Sequence, residues 1–259
     1  MLSQVKKLAQ DFVGLFGYQF TRLSVHPGHS APVEMNDQDI ELVQWVYNEQ
    51  LSMVTFAGLF STVAAAKYVA ENEIAGDFVE CGVWRGGNSI IAAEIFKRYR
   101  LDKKVFLFDT FRGMTEPTLD DRSIADNQPA LKEFIRQQEE THNSWCFAPL
   151  EEVQSNFRKR NLLDANVVFI EGPVEETLRQ RGVPPTSISF LRLDTDWYES
   201  TKVELQVLYP SVTNGGVLVI DDYGWWSGSK KATDEYFSDG KIRPLFHVID
   251  ETRRIGVKL

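Results

Sequence analysis

Cysteine and histidine are scarce in this chain, with 2 Cys and 4 His among 259 residues. Cys81 and Cys146 lie far apart with no Cys-x-x-Cys spacing, which excludes an obvious zinc site or disulfide framework and suits a reducing cytoplasm. His26, His29, His142 and His247 are scattered, and a lone histidine is more often structural than catalytic. Long apolar runs are also missing. The longest, over 57–70, is interrupted by Ser61, Thr62 and Lys67 and is too short to span a bilayer. Lys6 and Lys7 precede no apolar region with a small-residue cleavage site, so the start does not read as a signal peptide. No run of Lys or Arg forms a stripe, and the net charge is -9, so a nucleic-acid partner is excluded. A cytoplasmic protein with neither a membrane nor a nucleic-acid partner is expected.

What is present suits one domain over 1–259, since 43% hydrophobic and 12% aromatic content supports a single large α/β core. Leu2, Val5, Leu8, Phe12, Leu15 and Phe16 recur at roughly helical spacing, as a core face or the contact face of a homodimer or higher homo-oligomer. Pro27, Gly28 and Pro32 then mark a loop over 23–31. Asn36 reads as an N-cap for a helix carrying Ile40, Val43, Val46 and Tyr47, and a second helix spans 54–73. Short β-rich runs follow at 77–82, 104–109, 166–170, 187–193 and 215–220. Helical patterns at 88–100, 130–140, 151–158, 174–181, 199–208 and 230–237 alternate with them, which predicts a parallel sheet with helices on both faces. Residues 246–250 and 254–259 read as an appended antiparallel hairpin, giving seven strands. Segments 115–128 and 141–149 break the alternation and are candidate lids or plain surface connections.

The first chemical signal is Asp77-Phe78-Val79-Glu80-Cys81-Gly82-Val83-Trp84-Arg85-Gly86-Gly87-Asn88-Ser89, a strand entering a glycine turn and then a helix. Gly82 permits a sharp bend, Gly86 and Gly87 permit close approach of a ligand, and the helix start offers free N–H groups. Trp84 stands where a dinucleotide fingerprint needs its second glycine, so NAD is disfavoured. The second signal is Asp109, at the end of Val105-Phe106-Leu107-Phe108. An acid there can accept ribose hydroxyls, or can simply cap the strand end.

The third signal lies at two strand ends, Arg192-Leu193-Asp194-Thr195-Asp196 and Val219-Ile220-Asp221-Asp222-Tyr223. If these strands are neighbours, four carboxylates converge on one sheet edge. That oxygen set suits Mg²⁺, with Mn²⁺ or Ca²⁺ as alternatives, better than zinc. Pairing with Arg192 and Lys202 is the plainer explanation of the same acids. Trp197, Tyr198, Trp225 and Trp226 flank this edge, and the Trp225–Trp226 pair reads as exposed rings able to support a sugar or macrocycle. His142, in one candidate lid, is a reserve base.

With these motifs together, the chain resembles the macrocin O-methyltransferase family (TylF/MycF type), bacterial enzymes that methylate sugar hydroxyls of antibiotics. The resemblance runs from about Val54 to the C-terminus. It is carried by the stretch from Gly76 to Gly87, by Phe108-Asp109-Thr110-Phe111-Arg112-Gly113, by Arg192 to Tyr198, and by Asp221-Asp222-Tyr223-Gly224. It implies a class I methyltransferase (Rossmann-like) sheet of seven strands, the first beside the fourth and the fourth beside the fifth. Residues 1–75 would form a helical extension or lid on a catalytic core of 76–259.

By the same resemblance, Glu80, Gly82, Trp84, Arg85, Gly86, Gly87, Ser89 and Asp109 would line S-adenosylmethionine, with Met53 and Thr55 closing over it. Asp194, Asp221 and Asp222 match the family's metal ligands, expected to hold Mg²⁺, and Asp196 matches its general base. The expected acceptor is a small glycosylated or polyhydroxy molecule, methylated on a sugar hydroxyl. A catechol-type O-methyltransferase, a non-catalytic S-adenosylmethionine-binding protein and a metal-dependent phosphohydrolase are the competing readings.

Overall fold

The computed structural model describes residues 31–238 and 240–259. The apolar stripe of residues 2–16, His26, His29 and nearly all of the expected 23–31 loop lie outside them. Helix α1 (Asp37–Asn48) starts as the N-cap reading expects: Asn36 Oδ1 accepts from Asp39 N at 3.0 Å and Asp39 Oδ2 accepts from Asn36 N at 3.2 Å. This reciprocal pair satisfies two backbone donors that the first helical turn leaves open. Helix α2 (Phe56–Glu71) is capped by Thr55, whose hydroxyl oxygen accepts from Gly58 N.

After α2 the chain alternates strand and helix: β1 (Asp77–Cys81), α3 (Gly87–Arg98), β2 (Val105–Asp109), α4 (Leu131–Arg136), α5 (Leu150–Lys159), β3 (Val167–Glu171), α6 (Val174–Thr177), β4 (Ile188–Leu193), α7 (Tyr198–Val207), β5 (Val212–Ile220), α8 (Ser227–Ser238), β6 (His247–Val248) and β7 (Arg254–Val257). The strands form a single sheet of order β3-β2-β1-β4-β5-β7-β6. β1 lies beside β4 and β4 beside β5, all parallel, as the family resemblance implies. β7 runs antiparallel beside β5, and β6 pairs outside it.

Because side chains alternate across a strand, each inner strand feeds two cores. Phe78, Phe190, Val217 and Val219 face α1, α2, α3 and α5, whereas Val79, Leu191, Leu218 and Ile220 face α6, α7 and α8. The same alternation puts Glu80 and Arg192, adjacent in the β1–β4 register, on the α2–α3 side, where both are almost fully buried. A charged pair in that position must be matched by its surroundings, and the site is built around it.

Several elements are shorter or longer than their patterns suggest. The helix expected over 130–140 stops at Arg136, because Asn143 Nδ2 donates to Phe134 O at 2.9 Å and Gln138 pairs with Asn143 across a bridge. The one expected over 174–181 keeps its α form only to Thr177 and continues in i to i+3 turns, with Arg179 N bonded to Glu176 O and Gln180 N to Thr177 O. β5 begins at Val212 instead of 215, and β6 holds two residues instead of five. No helix among the described residues is long and apolar enough to cross a membrane.

Candidate active site

The carboxyl ends of β1, β2, β4 and β5 open on a cavity of about 420 Å³. This is the crevice that an open parallel sheet offers to ligands. Gly82 sets its geometry. Its φ is +78°, and a Cβ there would stand 1.9 Å from the carbonyl oxygen of Asp194. Glycine is therefore required for the turn after β1 to lie directly against the loop after β4. Backbone bonds lock the arrangement: Gly82 N donates to Phe108 O, Asp194 N to Cys81 O and Asp221 N to Leu193 O, at 2.8–2.9 Å.

Of the residues expected to meet a cofactor, Met53, Gly82, Trp84, Gly87 and Asp109 line the cavity. The other five lie outside that lining. Gly86 caps α3 in a left-handed conformation and backs onto Val153 and Phe157 of α5. Arg85 turns outward, stacking on Trp84 and pairing with Glu152 at 2.9 Å. Thr55 caps α2 and donates to Asp250 Oδ2 at 2.7 Å. Glu80 and Ser89 hydrogen-bond each other beneath the wall.

Asp109 works first as a clamp. Its Oδ2 accepts from Val83 N and Trp84 N at 2.6 and 3.1 Å, and its Oδ1 accepts from Phe111 N at 2.8 Å. A carboxylate has about four acceptor positions, so three are taken by the glycine turn and its own loop, and roughly one is left for a ligand. The plain strand-end role thus applies, and the carboxylate still faces the cavity. Burial pushes its pKa up, opposed by those three backbone donors.

The acids at the ends of β4 and β5 do converge. Asp194, Asp221 and Asp222 each offer an oxygen within 4.8 Å of the other two. Arg192 runs under them, donating to Glu80 Oε1 at 2.9 Å, to Asp194 Oδ2 and to Asp221 Oδ1. Arg253 adds a second guanidinium, its Nε bonded to Asp221 Oδ1 at 2.8 Å. Pairing with Arg192 is therefore real, whereas Lys202 instead sits over the Tyr198 ring. The arginines engage one oxygen each of Asp194 and Asp221, leaving Asp194 Oδ1 and Asp221 Oδ2 for another ligand. Asp222 Oδ2 is buried with no hydrogen-bond donor among the described residues. A buried carboxylate oxygen without a donor is costly, and a hard cation among three such oxygens would satisfy it. The donor set fits a divalent ion.

Charge in this cluster is only partly balanced, and the acids respond. Asp196, whose φ of +69° is tolerated better by Asp than by most residues, lines the cavity beside Asp222. Burial raises its pKa to about 7, against the pull of a hydrogen bond with Asp222. Burial and the neighbouring Asp196 and Asp221 push Asp222 well above the usual carboxylate range, and burial likewise raises Asp194 against the opposing Arg192. Burial carries Glu80 up to about 7, again opposed by Arg192. A bound cation would reverse the local balance, since a divalent charge favours ionised neighbours.

Two other expectations need correction. His142 lies on a neighbouring surface hollow, packed on Phe147 with ring centroids 4.2 Å apart, and does not line the cavity. Trp226 is only 8% exposed, packed with Trp145 and Trp197, whereas Trp225 is 49% exposed; both border the cavity. Segment 115–128 is a tied wall: buried Asp121 accepts from Tyr198 N at 2.7 Å, Ile124 N bonds Trp225 O, and Arg122 exchanges bonds with Ser227. Residues of the cavity wall not singled out from sequence include Cys146, Glu175 and Arg253. Arg253 had one readable signal, since in an antiparallel hairpin beside β5 some residue must stand opposite Asp221.

Strand order, glycine turn and cavity define the fold of a class I methyltransferase. The solved O-methyltransferase NovP matches it with a TM-score of 0.70 at 31% identity, over 80% of this chain and 82% of that one. CalS11, a calicheamicin methyltransferase, shares the fold at a TM-score of 0.55 and 17% identity, over 87% of this chain and 94% of that one. More narrowly, the family model described as Macrocin-O-methyltransferase (TylF) matches residues 39–255, and the chain belongs to that family. Relatives include the 8-demethyl-8-(2,3-dimethoxy-alpha-L-rhamnosyl)-tetracenomycin-C 4'-O-methyltransferase of Streptomyces olivaceus, 35% identical over 66% of this chain and 62% of that protein. Demethyldecarbamoylnovobiocin O-methyltransferase of Streptomyces niveus is 36% identical over 71% of this chain and 64% of that protein. The chain thus spans under two thirds of the length of these relatives.

Proposed function

We propose that the protein transfers a methyl group from S-adenosylmethionine to a sugar hydroxyl of a small glycosylated acceptor. Asp194, Asp221 and Asp222 would hold a divalent ion, with Mg²⁺ the first choice. The observation that carries this reading is that the glycine turn and the three acids meet in one cavity, where Asp222 Oδ2 is buried without a donor. Sugar as acceptor is supported by the Streptomyces olivaceus relative, named for a 4'-O-methylation of a rhamnosyl-tetracenomycin.

An alcohol is a poor nucleophile at neutral pH, so the protein must help remove its proton. When bound, S-adenosylmethionine supplies the methyl group as a sulfonium, and a divalent ion supplies Lewis acidity toward the hydroxyl. Asp196 would take the proton; its position in the cavity wall beside Asp222 supports that role. The turn at Gly82–Gly87 and the segment 51–54 would enclose the cofactor, and Trp145 and Trp225, also in the cavity wall, would help exclude water from the acceptor. Holding donor and acceptor in line makes the displacement effectively unimolecular.

The test is methyl transfer from labelled S-adenosylmethionine to a panel of glycosylated acceptors and catechol diols, before and after chelation. Activity on a glycosylated acceptor that chelation abolishes and Mg²⁺ restores is expected. Full activity in chelator would remove the metal from the reading, and turnover of catechols alone would favour the catechol-type alternative.

A further inference from the structure

Asp221 is the one acid of the triad held by two guanidiniums at a single oxygen. Arg192 Nη2 and Arg253 Nε both donate to Oδ1. With Oδ1 doubly engaged, the carboxylate cannot turn, and Oδ2 is the oxygen it can present to a ligand. Arg192 is anchored within the sheet by Glu80 and Asp194. Arg253 reaches the site from the turn that leads into β7. β7 pairs antiparallel with β5, Ile220 opposite Arg254, so one step further along the register Arg253 comes opposite Asp221.

Arg253 is itself held. Its Nη1 donates to Asp250 Oδ2 at 2.9 Å, and Asp250 Oδ1 accepts from Arg253 N at 3.0 Å and Thr252 N at 3.1 Å. Asp250 Oδ2 also accepts from the Thr55 hydroxyl at 2.7 Å. Thr55 ends the segment whose residues 51–54 line the cavity against the glycine turn, where Gly87 N donates to Leu51 O at 3.0 Å. A continuous chain of bonds, Thr55 to Asp250 to Arg253 to Asp221, therefore joins the N-terminal segment over the cavity to the acidic edge.

We propose that Arg253 is a positioning residue of the metal site, fixing Asp221 in its coordinating orientation, and that Asp250 and Thr55 hold Arg253 in place. This rests on the reading of Asp194, Asp221 and Asp222 as metal ligands. The sign of the effect separates orientation from charge. Removing a cation beside a ligand would, by Coulomb's law alone, tighten binding of a divalent ion. Loss of an orienting bond weakens it, commonly by about 10-fold or more.

The experiment is titration of the chelator-treated full-length protein with Mn²⁺, reading free ion by electron paramagnetic resonance, with thermal unfolding in chelator alongside. Arg253→Met is expected to weaken Mn²⁺ binding about 10-fold. Arg253→Lys should recover part of it, since an ammonium keeps the charge but not the fork that spans Asp221 and Asp250. Thr55→Val should weaken binding by a few-fold, roughly, through its loss of the bond to Asp250, and Thr55→Ser should match wild type. Arg253→Met binding as tightly as wild type, or tighter, while Asp222→Asn loses the ion, would overturn the positioning role and leave the metal site standing. Wild type that binds no Mn²⁺ would instead refute the metal site itself. If Arg253→Met does not fold, Arg253→Lys decides, and wild-type affinity there overturns the proposal.

Discussion

Gly82 offers the sharpest test of how the cofactor turn and the acidic edge are joined. In Gly82→Ala the new methyl carbon would lie 1.9 Å from Asp194 O at a φ of +78°. The left-handed backbone costs an L-residue about 1–2 kcal/mol. Relief of the overlap adds about 1–3 kcal/mol, as overpacking generally does. The two together give roughly 2–5 kcal/mol, or a fall in melting temperature of roughly 4–20 °C for a chain of this size. Gly182 supplies the control, because its φ is +82° and nothing lies within 4 Å of its would-be Cβ. Gly182→Ala should show only the backbone cost, about 1–2 kcal/mol. Thermal unfolding of both variants isolates the contact with Asp194. Moving that loop by about 1 Å should also cost methyl transfer on the order of a hundredfold in Gly82→Ala, and leave it unchanged in Gly182→Ala. Equal melting temperatures for the two variants would refute the claim that Gly82 is required by the approach of Asp194.

Trp226→Ala should destabilise by about 3–5 kcal/mol as a buried aromatic, whereas Trp225→Ala should stay within about 0.5 kcal/mol and raise the acceptor KM; thermal unfolding and steady-state kinetics separate them. Asp121→Ala removes the acceptor for Tyr198 N at the start of α7 and is expected to cost about 1–2 kcal/mol, read in urea unfolding. Asp250 is held down to about 2 by its bonds to Thr55 and Arg253 and by the Arg253 charge, which outweigh burial. A depressed carboxylate contributes stability above its unfolded value that is lost as pH falls through the folded one. Acid unfolding between pH 4 and pH 2, roughly, should therefore be less steep in Asp250→Asn than in wild type.

The parallel strands were legible because each is a short apolar run ended by turn residues or acids, and the central ones are buried on both faces, a pattern with few alternatives. The acidic edge was legible for a topological reason: Asp194 and Asp221 follow strands that must be neighbours if the fold is doubly wound. Helix ends at Arg136 and Thr177 were not, since a distant side chain, Asn143, and a tightening into i to i+3 turns decide them. The orientation of Glu80 and Ser89 was not legible either. They sit in the motif, but strand alternation turns Glu80 beneath the wall toward Arg192. Arg253 and Asp121 escaped notice because their partners lie 32 and 77 residues away in sequence, and only the folded chain brings them together. Trp226 looked exposed from its place in a loop, yet tertiary packing against Trp145 and Trp197 buries it.

In the proposed function one cavity holds two separable sites, a cofactor turn and a metal-binding acidic edge. Calorimetric titration of chelator-treated wild type and Asp194→Ala with S-adenosylhomocysteine, and then with Mg²⁺, addresses it directly. Both proteins are expected to bind the cofactor product with similar affinity, and only wild type to bind Mg²⁺. Loss of both ligands together in a folded Asp194→Ala, or Mg²⁺ binding unchanged by the substitution, would contradict it.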